Sequence, residues 1–194
     1  MQKIKLATLV IASSLLFSSP YAFSFEEDPS QTCKSAAELF TDGDIDGALE
    51  EARWCVTQLE QLKQNQTASF FKDEINGFKA GKVLQEQAMG FSVINCTYSK
   101  KGSVIEVSLS GGSSEVANNA FAALAQFGMQ SSGAGKKVRI QKRTAMVNND
   151  DGAQVVVTLK SGGMLTFESN DASVDEVLAF AKKFPVADLD NARN

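Results

Sequence analysis

The sequence predicts an α+β fold: an N-terminal helical hairpin, then an antiparallel sheet of about five strands with two helices on one face, in the order ββαβββα. Three observations predict it. Apolar residues recur at helical spacing between Ser30 and Gln64, alternate with polar ones from Phe91 onward, and return to helical spacing in a capped segment after Ser173.

The chain begins with Lys3 and Lys5, an apolar run from Leu6 to Phe17 and the small-residue triplet Ala22-Phe23-Ser24. Charge, apolar core and small residues in that order are the pattern of a secretory signal peptide. The apolar run is too short to cross a bilayer. The reading is therefore a signal peptide over residues 1–24, cleaved near Ser24, and a soluble periplasmic chain from about Phe25. No cysteine follows the apolar core closely enough for a lipid anchor.

Residues 25–76 are expected to form an acidic helical hairpin. Cys33, Ala36, Ala37 and Phe40 lie at helical spacing, and so do Ile45, Ala48, Leu49, Ala52, Cys55, Val56, Leu59 and Leu62. Between the two sets, Thr41-Asp42-Gly43-Asp44 supplies a glycine to stop one helix and an aspartate to cap the next. At 1.5 Å per residue Cys33 falls about 13 Å before the turn and Cys55 about 16 Å after it, so the two are nearly level. A Cys33–Cys55 disulfide is expected, contributing on the order of 3 kcal/mol to a unit with little core. The alternative is a pair of buried thiols in the helix seam.

The stretch Ala37-Glu38-Leu39-Phe40-Thr41-Asp42-Gly43-Asp44-Ile45-Asp46-Gly47-Ala48-Leu49-Glu50-Glu51-Ala52 resembles the middle of one tetratricopeptide unit. The resemblance covers a single unit, whereas a stacked solenoid needs about three; it implies a protein-contacting hairpin. Asp42-Gly43-Asp44-Ile45-Asp46-Gly47 also opens like a calcium-binding EF-hand loop. Position twelve, which should be a bidentate glutamate, is Arg53, and the region reads as continuous helix. No metal site is expected.

Residues 77–194 are read as the sheet domain, with Phe70 and Phe71 pinning the connector onto its core. Phe91 to Lys100 and Ser103 to Ser110 alternate around the turn Lys101-Gly102. Ser114 then caps a helix with the stripe Val116, Ala120, Phe121, Leu124 and Phe127. Three strands follow, Lys137 to Asn148, Ala153 to Lys160 and Met164 to Ser169, and Ser173 with Glu176 forms a capping box for a last helix ending at Phe184-Pro185. This layout, with Gly163-Met164-Leu165-Thr166-Phe167 leading into a helix, resembles that of small exported bacterial α+β domains. Such a layout implies no particular activity.

Charge and composition narrow the function. Beyond the signal peptide the chain carries 17 basic and 23 acidic residues, a net charge of −6, which excludes a generally basic nucleic-acid binder. The imbalance sits in residues 25–76, with 12 acidic and 4 basic residues. Histidine is absent throughout, which removes the usual general base near neutral pH and the usual triads. Ser69 and Lys72 have the spacing of the serine–lysine pair of penicillin-binding enzymes, but the companion elements are missing. Cys96 on an apolar strand face reads as core packing, the alternative being a reactive thiol.

In Lys136-Lys137-Val138-Arg139-Ile140-Gln141-Lys142-Arg143, strand alternation places Lys137, Arg139, Gln141 and Arg143 on one face, with Val138 and Ile140 on the other, and the three cations among them, Lys137, Arg139 and Arg143, form a stripe. They are the candidate partner-binding residues, with a solvated sheet face or internal docking of the acidic hairpin as alternatives. The expectation is a non-catalytic exported interaction protein with a protein partner, no cofactor, no nucleic acid and no membrane span. The alternative is a carrier of a small apolar or lipid-like ligand in a pocket between the sheet and Val116 to Phe127, lined by its phenylalanines and Met129.

Overall fold

The computed structural model describes residues 28–88, 91–112, 135–150 and 152–193. Helix α1 (Pro29–Thr41) and helix α2 (Ile45–Ala68) form the expected hairpin. Gly43 takes a φ of 84° at the turn, a left-handed conformation that glycine adopts without steric cost. Asp44 caps α2, its Oδ1 accepting from the Gly47 N–H at 3.0 Å. The helix runs through Arg53 without forming a calcium loop.

Nine strands follow: β1 (Glu74–Ile75), β2 (Phe78–Ala80), β3 (Leu84–Ala88), β4 (Phe91–Lys100), β5 (Ser103–Gly112), β6 (Lys136–Ile140), β7 (Arg143–Asn148), β8 (Ala153–Thr158) and β9 (Met164–Ser169). They make one sheet in the order β1-β2-β4-β5-β9-β8-β7-β6, with β3 also paired to β4. Every pairing is antiparallel. Two helices close the described chain, α3 (Val174–Lys183) and α4 (Val186–Arg193).

The α+β class stands, but the strand count and the ββαβββα order are corrected to nine strands and four helices among the described residues. Three of the extra strands lie in residues 74–88, where short polar segments pair with β4 or with each other. A further one arises because Lys137 to Asn148 is a hairpin, not a single strand, turning at Gln141 and Lys142 with φ of 48° and 67°. The helix expected over Val116–Phe127 lies outside the described residues.

Register explains the core. Cys96, Val107, Phe167, Val155 and Val147 pair across five strands on one face, and Ile94, Leu109, Leu165, Val157 and Ala145 form the next row. Helix α3, capped by Ser173, lays Val177, Phe180 and Ala181 on this face. The Phe180 ring meets Tyr98, Phe78 and Phe167 edge-on at 4.9, 5.5 and 6.0 Å, within the range of favourable aromatic pairs. Phe184 adds edge contacts to Phe71 and Phe167 at 5.3 and 5.4 Å. Phe71 and Ile75 thus belong to the sheet's core, and Phe70 packs against it, as the connector reading expects.

Candidate interaction surface

The hairpin is closed by the Cys33–Cys55 disulfide, with Cα atoms 5.0 Å apart. Small residues bring the two helices together: Ala48 is buried, and Ala36 and Cys55 are half-buried. Helix α1 packs principally on α2, and α2 reaches the rest of the molecule through its C-terminal half. There Gln64 Nε2 donates to Gln87 Oε1 of β3 at 2.7 Å, and α2 meets α4.

Away from that junction the hairpin leaves large apolar side chains in solvent: Phe40 at 67 % exposure, Ile45 at 58 %, Leu49 at 49 %, Val56 at 53 % and Leu59 at 49 %. On α2 Ile45, Leu49, Val56 and Leu59 fall on one face, because successive steps of four and three residues return to nearly the same angle; Trp54, 50 % exposed, lies off it. Exposed acids accompany them, with Asp42, Asp44, Asp46 and Glu50 around the turn and the first turns of α2.

The basic strand is a different matter. Lys137 and Arg139 are exposed on β6, but Arg143 is not on their face. The two-residue turn pairs Ile140 with Arg143, so Arg143 points to the same side as Ile140 and toward the core. The expected three-cation stripe is therefore reduced to Lys137 and Arg139. Lys142 and Lys160, both exposed, join Arg139 around a shallow depression with Thr144 and Thr158. Hairpin and basic strand do not dock on each other: the hairpin meets β3 beside β4, whereas β6 is the far edge strand. Replacing Lys137 and Arg139 with serine should shift stability by under about 0.5 kcal/mol each, read from denaturation midpoints.

Arg143, 7 % exposed, instead holds the C-terminal helix. Its Nε donates to Asp190 Oδ2 at 2.6 Å, and its other nitrogens donate to Gln141 O at 3.0 Å and Asn191 Oδ1 at 2.8 Å. Asp190, fully buried, also accepts from the Lys160 and Ser161 N–H groups at 3.1 and 2.8 Å. Gln141 completes this clamp at the α3–α4 junction, donating to Phe184 O at 2.8 Å and accepting from the Ala187 N–H at 2.7 Å. Sequence reading missed the roles of Asp190 and Gln141, since their partners lie between 29 and 47 residues away.

The remaining chemical candidates are occupied structurally. Cys96 is buried in the core, and burial pushes its thiol pKa up, opposite to what a reactive thiolate needs. Ser69 Oγ donates to Gln66 O at the end of α2. Among the described residues no group of three or more acidic or cysteine side chains is placed to hold a metal ion, and no helix is long and apolar enough to cross a membrane. The carrier pocket beneath Val116–Phe127 lies outside the described residues. No protein-family model matches this chain, and no curated protein or solved structure matches it.

Proposed function

We propose that this protein is a non-catalytic interaction protein of an oxidising exported compartment, the periplasm of a Gram-negative cell, and that its helical hairpin is the part offered to a partner. The observation that carries the reading is the line of Ile45, Leu49, Val56 and Leu59, each about half exposed or more, on a helix fixed to its neighbour by a disulfide. Contiguous exposed apolar surface rimmed by polar residues marks interaction sites. A cross-linked hairpin presents such a surface already ordered, which lowers the entropic cost of association.

The sheet domain acts as the anchor. Its described core is filled by Phe78, Tyr98, Phe167, Phe180 and Phe184, all fully buried, which favours a presenting scaffold over a carrier. The likeness of residues 37–52 to a tetratricopeptide unit supports the same role, and the signal-peptide pattern supports export. A photoreactive amino acid placed at Leu49 in the full chain, expressed in its own cells, should give one discrete adduct on irradiation. The same group at Lys101, exposed on the β4–β5 turn, should give none. Equal labelling at both positions, or none at Leu49, would remove the hairpin from this role.

A further inference from the structure

Helix α2 has the pattern of a helix with two neighbours, and the described structure gives the exposed part of it one. Ala48 and Cys55, seven residues apart, face α1. Ile45, Leu49, Ala52, Val56 and Leu59 form a second line in steps of four, three, four and three, the spacing of a helix–helix seam. Its large members, Ile45, Leu49, Val56 and Leu59, are exposed, and Ala52 between them is half-buried. We infer that the Ile45–Leu59 face of α2 receives an amphipathic α-helix of a partner protein, with apolar residues at heptad spacing and a predominantly basic rim. The inference rests on the interaction reading above and names the partner's chemistry.

Charge chooses this occupant over others. On the side of the stripe away from α1, helical geometry sets Asp46 and Arg53 in line, one per heptad, and turns the next position, Glu60, to the junction with β3, where it accepts from Gln87 Nε2. Such flanking positions set partner choice in helix pairs. Asp46 asks for a cation and Arg53 for an acid, and the exposed acids around the turn and the first turns of α2, Asp42, Asp44 and Glu50, make the complementary rim predominantly basic. A second copy of this chain fits poorly. Antiparallel overlap of the stripe brings Arg53 against its own counterpart, while parallel overlap stacks Lys63, the next position of the line, on itself. An anionic lipid surface is repelled by the same acids. The stripe, 15 residues from Ile45 to Leu59, is about 21 Å long, enough for four turns of a partner helix.

The test uses the full mature chain and two synthetic helical peptides with identical Leu and Ile heptads, one flanked by Lys and Arg and its twin flanked by Glu. Fluorescence anisotropy should show the basic peptide binding 1:1 and at least tenfold more tightly than the twin. Leu49→Asp with Val56→Asp should weaken it at least tenfold while the helical circular dichroism is kept. Asp46→Lys with Glu50→Lys, both exposed positions outside the stripe, should reverse the preference between peptides. Equal binding of the two peptides, binding of neither, or a dimer in sedimentation that dissociates on Leu49→Asp would each overturn the inference. A cross-link at Leu49 in cells without peptide preference would leave the interaction reading standing and reject only the basic helix. Peptide preference without a cellular cross-link would uphold the surface chemistry and reject the proposed role.

Discussion

Asp190→Ala is expected to destabilise the protein by about 3–5 kcal/mol, because it leaves the Arg143 guanidinium buried without its counter-charge. That is a large fraction of the total stability of an ordinary domain. Arg143 is 7 % exposed and Asp190 fully buried, so water cannot replace the lost bonds, and the Lys160 and Ser161 N–H groups lose their acceptor as well. Denaturant midpoints of the single variants, and of Arg143→Met with Asp190→Leu, check this. The double variant should be more stable than either single one, since an apolar pair of similar volume has no charge to desolvate. A loss below about 1 kcal/mol for Asp190→Ala, the size of an exposed pair, would show the clamp to be solvated.

The same carboxylate makes a pH prediction. Burial pushes its pKa up, but bonds from the Ser161 N–H, Arg143 and the Lys160 N–H outweigh burial and hold it below the ordinary 3.8. Its folded value therefore lies below its unfolded one. The contribution is fully present above the unfolded value and is lost as pH falls from there through the folded value. The acid limb of the wild-type stability curve should be steeper than that of Asp190→Ala.

Much of this architecture was legible because local and tertiary signals agree. Strands β4 and β9 match the alternating segments Phe91–Lys100 and Met164–Ser169, and the caps at Asp44 and Ser173 are where residue chemistry puts them. The misses have a shared physical cause. Gln141 and Lys142 both take positive φ without being the Asn or Gly that such a turn favours. What holds Gln141 there is tertiary: its side chain bonds Lys182, Phe184 and Ala187. That one turn moves Arg143 from the surface to the core and dissolves the expected basic stripe. Strands β2 and β3 are likewise short segments made into strands by the long edge of β4, and β1 by pairing with β2. In the hairpin every apolar position of α2 was visible in the sequence. Which of them face α1 and which face solvent was not, because the two seams differ by less than a quarter turn, and only the position of α1 separates them.

Removing the disulfide should dissolve the hairpin and spare the sheet. Between them α1 and α2 bury fully only Thr32, Ala48 and Thr67, so the hairpin has almost no core of its own to offset the entropy of ordering its chain. Cross-linking residues 22 apart contributes on the order of 3 kcal/mol through the unfolded state, comparable to the whole margin of a two-helix unit. Cys33→Ser with Cys55→Ser should therefore release the amides of α1 and of the first half of α2 in hydrogen exchange. Amides of Val155, Val157 and Phe167, in the sheet core, should keep their protection. The second half of α2 should respond least, since Gln64 and the α2–α4 contact tie it to the sheet. Because the stripe from Ile45 to Leu59 exists only while α2 is helical there, the same variant should lose the Leu49 cross-link without losing the folded sheet. Unchanged protection of α1 would show that the small-residue seam suffices alone. A parallel loss in β8 and β9 would show that the hairpin and sheet fold as one cooperative unit, which the sparse contacts between them argue against.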